Sequence, residues 1–199
     1  MQILIQMKLE SDAIFGNGIS VPGGEDIGIQ TDSWGFPYLK GSTIKGLFRE
    51  ELKNYFCWQR MPKQEQEKEI KALLGESGMD DLEVSRKVTF SELTLHPEFI
   101  HQIQDEGISE QEITEMFTYL RTFTSLENGL VKVGSLRTAR CIKKGLSFYG
   151  ICSCKKEDAK TVNEVIQQIK WVGSMRSRGF GKVRMEGEEQ KDEVFGTGN

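Results

Sequence analysis

The chain has 199 residues, 37 % hydrophobic and 28 % charged, with a mean hydropathy of −0.44. That is the composition of a soluble globular protein with room for one sizeable core or two small ones, and it excludes a membrane-crossing helix, because no apolar stretch approaches the ~20 residues one needs. The net charge of −4 excludes a uniformly basic polyanion binder, but the signs are segregated, and the local field is what a polyanion meets. Asn128 to Lys144 holds Lys132, Arg137, Arg140, Lys143 and Lys144 with no acid, and Lys170 to Met185 holds Lys170, Arg176, Arg178, Lys182 and Arg184 with none. Pro97 to Glu115 is the reverse, with acids and neither Lys nor Arg.

Taken in order, Ile3, Ile5, Met7 and Leu9 alternate with more polar neighbours, which predicts a half-buried strand. Gly16 to Gly35 follows, long, polar and glycine-rich, with Glu25, Asp26 and Asp32 in it; such a stretch inside a compact domain is usually functional or mobile. Gly41, Ser42 and Thr43 read as a helix start, with Ser42 or Thr43 as N-cap. Ile44, Leu47, Phe48, Leu52, Tyr55 and Phe56 continue it at helical spacing. A helix N-terminus with Lys45 close by suits a phosphate, although the Walker order G-x-x-x-x-G-K-[ST] is absent.

Met61 to Glu83 is acidic and helix-prone, broken by Gly75 and Gly78, and predicts an exposed insertion. Val88 to Leu95 predicts a second strand, stopped by Pro97. Ser109 to Glu112 is a capping-box pattern opening a helix with Ile113, Met116, Phe117 and Leu120. Arg121 to Arg140 reads as an irregular arm turning at Asn128-Gly129. Leu146 to Cys154 predicts a third strand, Asp158 to Trp171 a helix, and Lys182 to Glu186 the last strand. Gly187 to Asn199 is an acidic tail expected to be disordered.

The order strand, helix, strand, excursion, strand, helix, strand is the ferredoxin-like, RRM-like βαββαβ pattern of an α+β fold, with a long insertion between its middle strands. It predicts one domain over residues 1–186, with insertions at 61–83 and 96–140 and the tail at 187–199. The four cysteines, Cys57, Cys141, Cys152 and Cys154, have no zinc spacing, and the first ten residues lack a signal peptide's basic region. A reduced, cytoplasmic protein is expected.

One stretch draws the chemistry together. Gly173-Ser-Met-Arg-Ser-Arg-Gly-Phe-Gly-Lys-Val joins the last helix to the last strand. Its glycines let backbone approach a ligand closely, its turns can gather N–H groups around an anion, and Arg176 and Arg178 offer planar forks for phosphate. By itself the stretch is equally a glycine-rich connection with solvated arginines.

Two segments together carry a resemblance. Pro37-Tyr-Leu-Lys-Gly-Ser-Thr-Ile-Lys-Gly-Leu-Phe-Arg49 resembles the helix-start signature of the RAMP superfamily of CRISPR-associated proteins, and Gly173 to Val183 resembles that superfamily's C-terminal glycine-rich loop. Lys40 stands where the family usually has proline, and Thr43 and Ile44 replace Ser and Leu. Within the superfamily the chain is most similar to the backbone subunit of type III RNA-guided effector complexes, of the Csm and Cmr kinds. The likeness extends to Val88 to Leu93, to the arm ending in Gly134-Ser-Leu-Arg-Thr, and to the spacing of Asp26 and Asp32.

The resemblance implies a subunit that stacks with copies of itself and with other effector subunits along a CRISPR guide RNA. It implies guide contacts at Gly41, Ser42, Lys45, Arg49, Arg137, Arg176, Arg178, Gly179 and Gly181. A thumb-like arm would kink the paired target RNA. Asp26 would be catalytic and a metal ligand, cutting the target at each kink with Mg2+ or Mn2+. Two alternatives stand beside this: a RAMP subunit that only binds guide RNA, and a guide-processing endonuclease using His96 or His101. On the residues alone, Asp26 is equally a turn former, Asp32 reads as a cap before Gly35, and both histidines read as surface or core residues. Phe148 reads as core, Phe180 as either core or a base-stacking ring, and Trp34 and Trp58 as packing residues.

Overall fold

In the computed structural model, residues 1–19, 25–75, 87–124, 126–127, 130–131 and 136–190 are described. Pro22, Gly23 and Gly24, the Gly78 end of the predicted insertion, the Asn128-Gly129 turn, Lys132, Gly134 and residues 191–199 lie outside them.

Strand β1, Gln2–Leu9, buries Ile3, Ile5, Met7 and Leu9, as its two-residue period requires. It pairs antiparallel with β7, Ser147–Ser153, on one side and with β8, Val183–Gln190, on the other. The short β2, Thr89–Phe90, adds to β7, giving the order β2-β7-β1-β8. Helices α1, Gly41–Trp58, and α5, Ala159–Ile166, pack on each other and against the sheet. Ile44, Leu47, Phe48, Leu52 and Phe56 from α1 and Ala159, Val162, Val165 and Ile166 from α5 are buried there. The Tyr55 hydroxyl of α1 donates to Glu164 on α5 at 2.7 Å.

The long excursion between β2 and β7 contains α3, Pro97–Asp105, α4, Glu110–Phe117, and a two-stranded ribbon of β3, Thr118–Phe123, with β6, Arg137–Ile142. Two short strands, β4 (Leu126–Glu127) and β5 (Leu130–Val131), pair between them. The capping box is present at α4: Ser109 accepts the Glu112 N–H and Glu112 accepts the Ser109 N–H. The root of the arm is thus an ordered ribbon where the sequence predicts an irregular segment. Thr118 and Ile142, Leu120 and Arg140, and Phe123 and Arg137 are paired across it. Residue-by-residue pairing satisfies the backbone without the apolar alternation that makes a strand legible.

Several boundaries differ from expectation. The N-cap of α1 is Lys40, whose carbonyl accepts the N–H groups of Thr43 and Ile44, and neither Ser42 nor Thr43 caps it. Gly41 is the first residue of the helix, and glycine is required there because a Cβ would meet the Phe90 carbonyl oxygen at 2.3 Å. The predicted strand 88–95 pairs as a regular strand only at Thr89–Phe90, because the Ser91 hydroxyl takes the Ile151 N–H and breaks the ladder. Pairing resumes where Leu93 meets Leu39 and Thr94 meets Tyr149. The segment after Pro97 is helical, with Pro in the first turn, where its missing N–H costs nothing.

The start of the predicted exposed insertion is α2, Lys63–Leu74, which packs on α1 and buries Gln66, Ile70, Leu73 and Leu74. The regular part of helix α5 ends at Ile166, short of Trp171; Gln168 and Ile169 continue with tighter bonds to Val165 and Ile166, and the Lys170 carbonyl accepts the Val183 N–H. The last strand runs on to Gln190, so Gly187 to Gln190 is paired strand rather than disordered tail. Trp34 and Trp58 are 52 % and 69 % exposed, and neither is a packing residue. Cys141, Cys152 and Cys154 are buried and Cys57 is exposed, all as free thiols.

Candidate nucleic-acid interface

The segment just past β1 ties the pieces of the site together. Ala13 bridges to Ile142 at the root of β6, and the Ile14 carbonyl accepts the Ser174 N–H of the glycine-rich loop at 2.9 Å. The Asp12 carbonyl accepts Gly181 N–H at 2.7 Å, and its carboxylate accepts the Tyr119 hydroxyl at 2.7 Å and the Lys144 N–H at 2.9 Å. Burial, then the Asp12 contact, holds the Tyr119 phenol above its ordinary pKa. One residue therefore fastens the ribbon to the loop.

Within the loop, Arg176–Arg178 form a single 3-10 turn flanked by left-handed residues, Met175 at φ 57° and Gly179 at φ 85°. The turn presents Arg176 and Arg178 to solvent, and Phe180 behind it is buried. Phe148, likewise, is core.

The loop and the start of α1 meet. A cavity of about 230 Å3 is lined by Lys40, Thr43 and Leu47 from the helix start, Gly173, Ser174 and Arg176 from the loop, and Phe15, Gly16, Gln30 and Leu39 between them. The Arg176 guanidinium also reaches Glu50 of α1 at 4.0 Å, an exposed pair worth little in stability. Of the sequence-predicted contacts, Arg176 lines this cavity. Ser42 is exposed in the first turn of α1 and Lys45 is half-buried one turn on. Arg49 donates to the Gly75 carbonyl at 3.0 Å and so holds the end of α2. Arg137 is exposed on β6. Thr43 and Ser174 belong to the two segments the sequence marks for phosphate, whereas Lys40 and Gln30 are lining residues that it does not mark. Lys40, directly before the glycine of the helix start, is the one with a legible signal.

The outer face of the sheet has a different character. The register puts Leu4, Ile151 and Glu188 together, and Gln6, Tyr149 and Glu186 together. Lys8 and Arg184 share that face, but Arg184 is paired to Glu10 and Glu186, so the face offers a phosphate chain little unpaired positive charge, unlike the basic, aromatic sheet face of an RRM.

Asp26 lies on the other side of β6's pairing. Ile27 bridges to Ala139 in parallel, the Asp26 N–H donates to the Thr138 carbonyl at 2.9 Å, and the Asp26 carboxylate accepts the Thr138 N–H at 2.7 Å. Glu25 forms an ion pair with Arg140, so that arginine is neutralised. Asp26 is exposed. A groove of about 680 Å3 runs beside it, lined by Glu25, Gly28, Leu120, Thr138 and Arg140 among others. Asp32 caps its own turn, its carboxylate accepting the N–H groups of Trp34 and Phe36 at 2.9 Å. His96 and His101 are exposed, and His96 packs edge-on to Tyr149.

Among the described residues no group of three His, Cys, Asp or Glu side chains is arranged to hold a metal. Asp26 offers an exposed carboxylate with one oxygen beyond the one that takes the Thr138 N–H. That fits a Mg2+-type ion, which keeps several waters and binds through one or two carboxylates plus substrate phosphate.

The fold is shared with subunits of known complexes. A chain of the type III-B Cmr-beta complex bound to cognate target RNA superposes with a TM-score of 0.69 at 12 % identity, covering 94 % of this chain and 97 % of that one. A chain of the apo Cmr-beta complex gives 0.64 at 13 %, with the same coverage. No curated protein matches by sequence. The family model of the RAMP superfamily matches residues 6–184, and the chain belongs to that superfamily.

Proposed function

We propose that this chain is the guide-RNA-binding backbone subunit of a type III CRISPR effector complex, and that it cleaves guide-paired target RNA at regular intervals through Asp26. The observation that carries the binding half is the cavity shared by Lys40 and Thr43 of the helix start and Gly173, Ser174 and Arg176 of the glycine-rich loop. Base pairing supplies specificity in such complexes, so the protein must read phosphate and sugar irrespective of base. Ser42, Lys45, Arg137, Arg176 and Arg178, with the open Gly179 backbone, are the chemistry for that, while Gly41 and Gly181 answer to the protein's own carbonyls. The sheet order β2-β7-β1-β8 with α1 and α5 as crossovers supports reading the core as ferredoxin-like, and the β3–β6 ribbon as the thumb-like arm. The likeness to Cmr-beta subunits supports guide RNA, target RNA, further copies of the chain and other effector subunits as partners, in the cytoplasm. No described helix is long and apolar enough to cross a membrane.

The catalytic half assigns Asp26 to a kinked ribonucleotide. The 2′-oxygen attacks the adjacent phosphorus, the P–O5′ bond breaks, and the 2′ proton leaves while the 5′-oxygen gains one. Asp26 takes that proton or holds the metal. Mg2+ or Mn2+ held by Asp26 and RNA phosphate would supply neutralisation of the charge developing on the phosphate. Geometry at one strained linkage does the rest.

The test is a reconstituted complex with guide and matched target RNA. Asp26→Asn keeps an acceptor for the Thr138 N–H but removes the charge. The reading predicts that periodic cutting falls at least a hundredfold while assembly and melting temperature stay at wild-type values. Unchanged cutting would leave a subunit that only binds guide RNA, the reading that the structural bond from Thr138 to Asp26 favours.

A further inference from the structure

β3 presents Tyr119, Arg121 and Phe123 at alternate positions, and the register sets Cys141, Ala139 and Arg137 beside them on β6. The glycine-rich loop meets this face of the ribbon. Phe123 and Phe180 pack edge to face, with ring centroids 5.7 Å apart. The Arg121 guanidinium lies 5.5 Å from the Phe123 centroid and 5.1 Å from that of Phe180. The Arg178 guanidinium lies 5.8 Å from the Phe123 centroid.

Two guanidinium groups from distant parts of the chain thus share one aromatic platform, with Arg137 directly opposite Phe123 in the register. All three arginines are exposed. Among the described residues none of them is ion-paired, whereas Arg140, on the ribbon's other face, is neutralised by Glu25. Ring faces attract each cation but cancel no charge. Arg121 also lies against the Tyr119 hydroxyl that Asp12 accepts, which orients its guanidinium from a second side and leaves it with no direct ion-pair partner among the described residues. The Phe123–Phe180 pair restricts both side chains beforehand, which lowers the entropy lost on binding.

We propose that Arg121 joins Arg178 in gripping RNA phosphates at the root of the arm, with Phe123 and Phe180 as the platform that holds both guanidinium groups in place. This rests on the RNA-binding reading above. It extends the grip from the loop onto the ribbon, so that RNA seated on the loop also contacts the arm.

The test is the affinity of the whole chain for a single-stranded RNA of mixed sequence, titrated over a range of KCl concentrations. Arg121→Gln should weaken binding about tenfold near 0.15 M salt and reduce the slope of log K against log salt by about 1. Arg121→Lys should keep most of the slope. If Arg121→Gln unfolds at lower temperature, the slope measured below its melting transition still decides. An unchanged slope in Arg121→Gln, with Arg176→Ala weakened as expected, would mean that Arg121 only props the arm, and the inference fails while the binding reading stands. Wild-type affinity in Arg176→Ala, Arg178→Ala and Arg121→Gln alike would overturn both.

Discussion

Gly179 and Gly181 look alike in the sequence, as glycines that let RNA approach the backbone, but the structure separates them. Both have positive φ, 85° and 76°. A Cβ on Gly181 would come 1.8 Å from the Val172 carbonyl oxygen, whereas one on Gly179 meets nothing within 4 Å. Gly181→Ala should therefore lose about 2–4 kcal/mol of folding stability, and Gly179→Ala about 1–2 kcal/mol from the left-handed backbone alone. Urea denaturation of the two variants checks this, and equal losses would refute it. Gly41 likewise answers to the neighbouring Phe90 carbonyl. A sequence marks where glycine stands and is silent on whether a ligand or the protein's own backbone is the near neighbour. The same limit hid Arg49's use at Gly75 and the exposure of Trp34 and Trp58.

At the scale of elements, strong periodicity was legible and weak periodicity was not. β1 and the buried stripe of α1 follow directly from the spacing of Ile3 to Leu9 and Ile44 to Phe56. The ribbon was not legible, because β3 and β6 are held by each other and by Asp12 rather than by an alternating apolar face. That clamp has a pH signature. The folded Tyr119 phenol titrates above its unfolded value, so its contribution is full below about pH 10 and is lost as pH rises through the higher folded value. Wild-type stability should therefore fall as pH rises above about 10, the ordinary tyrosine value, and Tyr119→Phe should fall less steeply there. Parallel curves from denaturant melts at each pH would remove Tyr119 from the clamp.

At the scale of the molecule, the candidate site is assembled from segments that the chain order keeps apart. Residues 37–49 and 173–183 could be matched to the RAMP pattern one by one, and the family model bears out the membership. Their juxtaposition depends on the sheet: β1 runs beside β8, and the turn after β1 carries Ile14 and Asp12 to the loop. No local pattern encodes that distance. The outer face of the sheet carries Glu186 and Glu188, with Arg184 paired to Glu10 and Glu186, and lacks the unpaired basic charge found on the loop. The net charge of −4 is compatible with polyanion binding, because the local field decides it, and the exposed Arg121, Arg137 and Arg178 have no ion-pair partner among the described residues.

RNA binding is proposed on a single surface built from the start of α1 and the glycine-rich loop. Photocrosslinking of 4-thiouridine-substituted RNA to the chain, mapped by mass spectrometry, reads that surface directly. One RNA should crosslink both to residues 40–49 and to residues 173–181. Crosslinks confined to the outer sheet face around Leu4, Tyr149 and Ile151 would contradict it.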